Sequence, residues 1–298
     1  MEFDNNRVDV GGVDDRRGVG GGMAIGGGAG VVGLVVYLIF SLLGGGGDAG
    51  SALQLPSGSS QVQGANGAES TEELRQRCNS DGALERYTDC RLIKVYNIAD
   101  DVWQAEFERR GLPYQAPRFA FFSGRTRTGC GAASADVGPF YCPPDQEIYF
   151  ELTFLEQLQK QFGAPGEFAQ AYIAAHEFGH HLQTILGTER KVRAAQQQNP
   201  NQANRYSVAL ELQADCYAGV WANLADKADN GLKNVTPQTI AEAVEAAGAV
   251  GDDRIQQKTQ GRVDPETFSH GSAAQRQQWF LTGYRSGDMD SCNTFTSR

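Results

Sequence analysis

The sequence predicts an α+β domain, mainly helical with a small β-sheet, preceded by a single transmembrane helix. Three observations predict it. Two long alanine-rich runs in the second half carry apolar residues at helical spacing, and two short β-prone runs precede them. Near the N-terminus lies an apolar stretch without a charge, between glycine-rich polar flanks. The 298 residues suffice for one large domain or two small ones. Acidic residues outnumber basic ones by 36 to 26, for a net charge of -10, so a phosphate-neutralising surface is not expected and nucleic acid is a poor partner.

The glycine excess is concentrated before residue 70. Residues 1–22 are polar and glycine-rich, and such a segment is expected to be a disordered tail. Residues 23–43 (MAIGGGAGVVGLVVYLIFSLL) are uncharged. At about 1.5 Å per residue they match a bilayer core of roughly 30 Å, which makes them the transmembrane helix. Arg16 and Arg17 precede this run, so the positive-inside rule puts the N-terminus in the cytoplasm and the following domain outside it, in the periplasm or at the cell surface. A cleaved signal peptide is the competing reading, with small residues at Ala49-Gly50-Ser51-Ala52. The long polar stretch before the run and the length of the run favour an uncleaved anchor. Residues 44–70 are rich in Gly, Ser, Gln and Ala and read as a flexible linker, leaving 71–298 as the folded domain.

All six cysteines, Cys78, Cys90, Cys130, Cys142, Cys216 and Cys292, fall in that domain. An even number after an export anchor points to disulfides. Sequence alone does not choose the pairing. Local closure suggests Cys78 with Cys90 and Cys130 with Cys142, leaving Cys216 with Cys292. None of the spacings is C-x2-C, so a cysteine zinc site is not indicated. The β-prone runs are Arg118 to Ser123 and Glu147 to Leu152, with a Gly/Ala/Ser-rich, disulfide-closed loop from Gly129 to Cys142 between them.

The first helical run, Ala164 to Gly187, has Pro165 in its first turn and Gly187 at its stop. It contains His176-Glu177-Phe178-Gly179-His180. Histidines four apart project from one helix face and can grip one ion; the adjacent Glu177 points elsewhere and can reach a water held by that ion without ligating it. With only four histidines in the chain, three of them between 176 and 181, a chance cluster is a poor explanation. Gly179 costs about 1 kcal/mol against alanine inside a helix, which suggests close packing there. His181 points about 100° away from His180 and reads as a surface or supporting residue, not a ligand. The second run, Ser207 to Asp229, carries Glu211 and Asp215, again four apart on a mainly apolar helix. Glu211 is the expected third metal ligand, and Asp215 the acceptor for a ligating imidazole's other N–H. The reverse assignment, Asp215 as ligand with Glu211 in support, stays open on spacing alone.

H-E-F-G-H-H followed by E-L-Q-A-D-C-Y-A-G-V-W resembles the bacterial neutral zinc metallopeptidase family, which is membrane-anchored and carries HExxH with a downstream ExxxD. The resemblance extends over Cys130 to Pro143, Asp145 to Phe154, Gly251 to Gln256, and Ser269-His270-Gly271-Ser272 with Gln275-Arg276 and Trp279-Phe280, that is, most of the chain from Cys78 onward. It implies a zincin-like metallopeptidase with Zn2+ as cofactor and a peptide or protein as substrate. The helix pair is also similar to that of CAAX-processing metalloproteases, and this likeness ranks Glu211 above Asp215 as ligand.

The expected chemistry is hydrolysis by a zinc-activated water, with His176, His180 and Glu211 as ligands and Glu177 as general base. His270, before a helix start at Gly271-Ser272, is a candidate catalytic donor to the oxyanion, its alternative being a capping or surface histidine. Asp252 and Asp253 read as solvated, their alternative being to cap or orient a neighbour. Glu147 to Leu152 is the candidate edge strand for an extended substrate, its alternative being an inner strand. Two rival functions stand beside the peptidase: a non-catalytic zinc-binding scaffold, and a zinc hydrolase of a cell-wall amide. Oligomeric state is not readable from the sequence.

Overall fold

The computed structural model describes residues 2–17, 69–154, 166–228 and 231–296. The expected transmembrane run 23–43 and most of the linker lie outside the described residues. Among the described residues no helix is long and apolar enough to cross a membrane.

In chain order the strands β1 (Glu2–Phe3) and β2 (Val13–Asp15) come first. Then follow the helices α1 (Thr71–Cys78), α2 (Ala83–Arg86) and α3 (Thr88–Arg109). Ser70 caps α1 in a capping box with Glu73, satisfying donors that the first turn would leave orphaned. The strands β3 (Arg118–Phe122), β4 (Arg125–Thr128), β5 (Gly131–Ser134), β6 (Phe140–Cys142) and β7 (Glu147–Glu151) form the middle of the chain. The second half holds α4 (Glu167–Ile185), α5 (Thr188–Gln198), α6 (Ala203–Ala225), β8 (Leu232–Lys233), α7 (Pro237–Ala249), α8 (Asp252–Gln260) and α9 (Ala273–Ser286). The domain is thus mainly helical with small sheets, as expected from the two periodicities.

The main sheet has the order β2-β3-β7-β6, with β2, β3 and β7 parallel and β6 antiparallel. One face presents Phe119, Phe121, Ile148 and Phe150 to α3 and α4, where Tyr96 lies 5.3 Å from Phe119 and 6.1 Å from Phe178 between ring centroids. The other face presents Ala120, Phe122, Tyr149 and Cys142, packed with Phe140 and Cys130. Burial of both faces explains why Glu147 to Leu152 is not an edge. With Ile148, Tyr149 and Phe150 all apolar, the run has the pattern of a central strand, and β3 and β6 flank it. The edge beside α4 is β6 instead.

The disordered tail expected for residues 1–22 is also corrected over 2–17. β2 pairs in parallel with β3, β1 pairs with β8, and Val8 and Val10 are buried in the main core. The short valine alternation suffices because the domain supplies a hydrogen-bonding edge and an apolar surface for it. The three disulfides join Cys78 to Cys90, Cys130 to Cys142 and Cys216 to Cys292, the local pairing.

Helices α4, α6 and α9 pack at unusually close range, and glycine permits it. A Cβ on Gly179 would meet the Ala214 backbone at 3.0 Å, one on Gly219 would overlap the Phe280 carbonyl, and one on Gly283 would overlap the Cys216 carbonyl. Helix propensity alone makes Gly219→Ala stabilising by about 1 kcal/mol. The overlap with helix backbone reverses the sign: we expect a net loss of about 2 kcal/mol or more, read as a lowered midpoint in urea denaturation with an unchanged slope.

Candidate metal centre

Three side chains from two helices converge. His176 and His180 lie one turn apart on α4, and Glu211 projects from α6 toward them. His176 Nε2 is 3.3 Å from Glu211 Oε2, and His180 Nε2 is 3.5 Å from Glu211 Oε1. The donor atoms of all three lie within 4.8 Å of one another, a grouping that can hold a metal ion. Two imidazole nitrogens and one carboxylate suit zinc, and a set of three protein donors leaves a fourth position for water. The Gly179–Ala214 approach brings the α6 backbone close enough for this reach.

The two imidazoles are held from behind. His176 Nδ1–H donates to Asp215 Oδ1 at 2.8 Å, and His180 Nδ1–H donates to Gln183 Oε1 at 2.9 Å. These bonds fix the tautomers that leave both Nε2 atoms free to ligate. Gln183 is itself oriented by donating to Leu210 O at 2.7 Å on α6. Asp215 is fully buried and receives a two-pronged contact from Arg276 on α9: Nε to Oδ2 at 2.8 Å and Nη2 to Oδ1 at 2.9 Å. The Tyr172 hydroxyl donates to the same carboxylate. Burial would raise the Asp215 pKa, but Arg276 and His176 outweigh it and hold the carboxyl below its ordinary value. Burial likewise opposes charge on His176, yet Asp215 and Glu211 raise its pKa to about 10.

Glu177 is buried beside the donors. Burial pushes its carboxyl pKa up, against the pull of His180 and His176 and a hydrogen bond from the Tyr141 backbone of β6. His180 is the most open of the four, with 21% of its side chain exposed against 7% for His176, so access to the site lies on its side.

His270 is neither a cap nor a surface residue. It is buried at 4% exposure, its Nδ1–H donates to Asp252 Oδ1 at 2.9 Å, and its charge is close enough to lower the Glu211 carboxyl. Asp252, expected to be solvated, is 8% exposed. Its other oxygen accepts the backbone N–H groups of Ser269, His270 and Gly271 at 2.8, 2.7 and 2.9 Å, which locks the turn ahead of α9. Asp253 receives the Ala273 N–H at 2.7 Å and so holds the start of that helix. His181 is not at the surface: it is wholly buried, bonded to the Gln115 carbonyl at 2.6 Å and the Tyr141 hydroxyl at 3.1 Å, and burial lowers its pKa to about 4. It supports the strand that faces Glu177 and lies outside the donor group. Gln183, Tyr172 and Arg276 escaped the sequence reading. Gln183 was detectable in principle, three residues beyond His180 on one helix face. Arg276 was not, since nothing local marks a partner 61 residues away from Asp215.

This geometry separates the two acidic residues by function. Glu211→Ala removes a donor and should abolish stoichiometric zinc at micromolar free metal. Asp215→Ala removes only an orienting contact and should weaken zinc by about 10- to 100-fold. Competition titration with a chelating dye measures both, and the reverse order would exchange their roles.

The family model described as "Putative neutral zinc metallopeptidase" matches residues 1–295. The uncharacterized protein YpfJ of Escherichia coli (strain K12) is 48% identical over 203 residues, covering 67% of this chain and 69% of that protein. Uncharacterized proteins of Mycobacterium bovis and Mycobacterium tuberculosis are each 46% identical over 229 residues, covering 74% of this chain and 75% of theirs. No solved structure matches. The match spans nearly the whole chain, and the chain belongs to the family of putative neutral zinc metallopeptidases.

Proposed function

We propose that the chain is a zinc-dependent peptidase that hydrolyses peptide bonds, with His176, His180 and Glu211 as metal ligands and Glu177 as general base. The observation that carries this reading is the placement of a buried carboxylate of raised pKa directly beside a two-imidazole, one-carboxylate donor set. When bound, zinc supplies a Lewis acid for the scissile carbonyl and lowers the pKa of a water molecule toward about 7.

Glu177 takes the proton of the attacking water and delivers it to the departing amine. Its raised pKa narrows the gap to both partners, which is where general acid–base catalysis is most effective. His270, with Nδ1–H held by Asp252, in its protonated form presents Nε2–H to the carbonyl oxygen as charge develops there. Asp252 orients that ring, while Arg276 and Tyr172 keep Asp215, and through it His176, in place. An extended substrate pairs with the outer edge of β6, whose Tyr141 backbone already faces Glu177. The three disulfides favour work in an oxidising compartment, and the apolar run 23–43 supplies membrane attachment.

Two substitutions test the assignment. Glu177→Gln should retain one zinc per chain and lose peptide hydrolysis by at least about 100-fold, the size of a general-base contribution. His270→Gln should lower kcat with little change in zinc content. Digestion of an unbiased peptide library by the full chain, with and without chelator, provides the readout. Undiminished turnover by Glu177→Gln, or no zinc-dependent cleavage by the wild type, would sink the proposal.

A further inference from the structure

The N-terminal segment bears on how the chain meets a membrane. We infer that residues 2–17 and the metal-bearing domain occupy the same side of any membrane the chain enters.

The contacts that hold 2–17 are distributed along its length. β1 pairs with β8, and the Asp4 N–H donates to the Gly231 carbonyl at 3.1 Å. Lys94 Nζ on α3 donates to the Arg7 carbonyl at 3.1 Å. Asn79 brackets Val8, accepting its N–H at 2.9 Å and donating to its carbonyl at 3.0 Å. Asn97 does the same for Asp9, with both bonds at 2.9 Å. Val8 and Val10 enter the main core, and β2 completes the main sheet beside β3. A backbone ladder and side-chain brackets of this kind cannot operate across a hydrocarbon layer of about 30 Å.

The junction itself is closed by charge. Arg17 is 4% exposed and donates to Asp15 Oδ1 at 2.8 Å and to Asp89 Oδ2 at 2.7 Å. Arg77 shares Asp89 and also bonds Glu69, and Arg17 Nη2 lies 3.8 Å from Glu69 Oε2. Arg17 and Glu69, the residues bounding 18–68, therefore belong to one ion cluster. The same cluster alters the charge argument for orientation. Arg16 is paired with Asp14 and Glu147, and Arg17 with Asp15 and Asp89, so neither is a free cation available to hold the N-terminus at a cytoplasmic face.

A labelling experiment on the full chain in its native membrane tests this. All six native cysteines are in disulfides, so one introduced thiol reports its own position. Arg7→Cys places it on an exposed position of the N-terminal segment, Asn6→Cys is a second such position if the first disturbs folding, and Lys191→Cys marks the domain surface. Each variant is treated with a membrane-impermeant maleimide in intact cells and in inverted vesicles. The inference expects residues 7 (or 6) and 191 to react in the same preparation and to be shielded together in the other. Which preparation reacts reports the compartment of the domain separately. Reaction of the two in opposite preparations would overturn it, as would a mature chain whose mass shows that residues 2–17 have been removed.

Discussion

The carboxylate of Asp215 is the constraint around which the helical half is arranged. A charge with no solvent contact costs several kcal/mol unless it is paired and its lone pairs are filled. Asp215 meets that demand from three directions: His176 and Tyr172 on one helix and Arg276 on another. The pairing does not by itself argue for high stability, because an apolar replacement of equal volume can be as stable. Its consequence is positional. Satisfying Asp215 requires α9 to lie against α6, which Gly219 and Gly283 permit, and it sets the His176 ring with Nε2 toward Glu211. The Cys216–Cys292 disulfide, one residue from Asp215, ties the C-terminal segment to the same place.

A second constraint runs through the sheet. β6 is its outer strand beside α4, and its backbone meets Glu177, while the Tyr141 side chain meets His181. His181 spans from that strand to the Gln115 carbonyl, so a buried neutral imidazole next to the metal-site residues serves to seat the strand. The Cys130–Cys142 disulfide closes the loop leading into β6. Metal donors, the general-base candidate and the strand edge are thereby fixed to one rigid frame by buried side chains, the arrangement that preorganised catalysis requires.

The helices and the donor group were legible because their signals are local. His176, Glu177 and His180 lie within about one turn, as do Glu211 and Asp215, and alanine-rich periodicity marks both helices. What was missed depends on long-range pairing. Asp252 looks like a solvated acid until His270, eighteen residues on, is folded against it. Arg276 lies in a stretch that carries the family resemblance, but nothing local pairs it with Asp215, 61 residues away. The N-terminal segment was misjudged because glycine and charge dominate its composition, whereas Val8, Val10 and Val13 carry the signal at alternating and near-alternating positions. Glu147 to Leu152 was placed at an edge although three successive apolar residues mark a strand buried on both faces. The disulfide pairing was reached by local closure, with the long Cys216–Cys292 link as its remainder.

The proposed zinc site requires one ion held by two imidazoles and one carboxylate, with Asp215 behind His176 and His270 outside the donor set. X-ray absorption at the zinc edge of the zinc-loaded wild-type chain tests it most directly. The account predicts two histidine nitrogens and light oxygen donors at about 2.0–2.2 Å, with no sulfur. It also predicts that the histidine signal stays at two in His270→Gln and falls to one in His180→Gln. A sulfur shell, or three histidines in the wild type falling to two in His270→Gln, would contradict it.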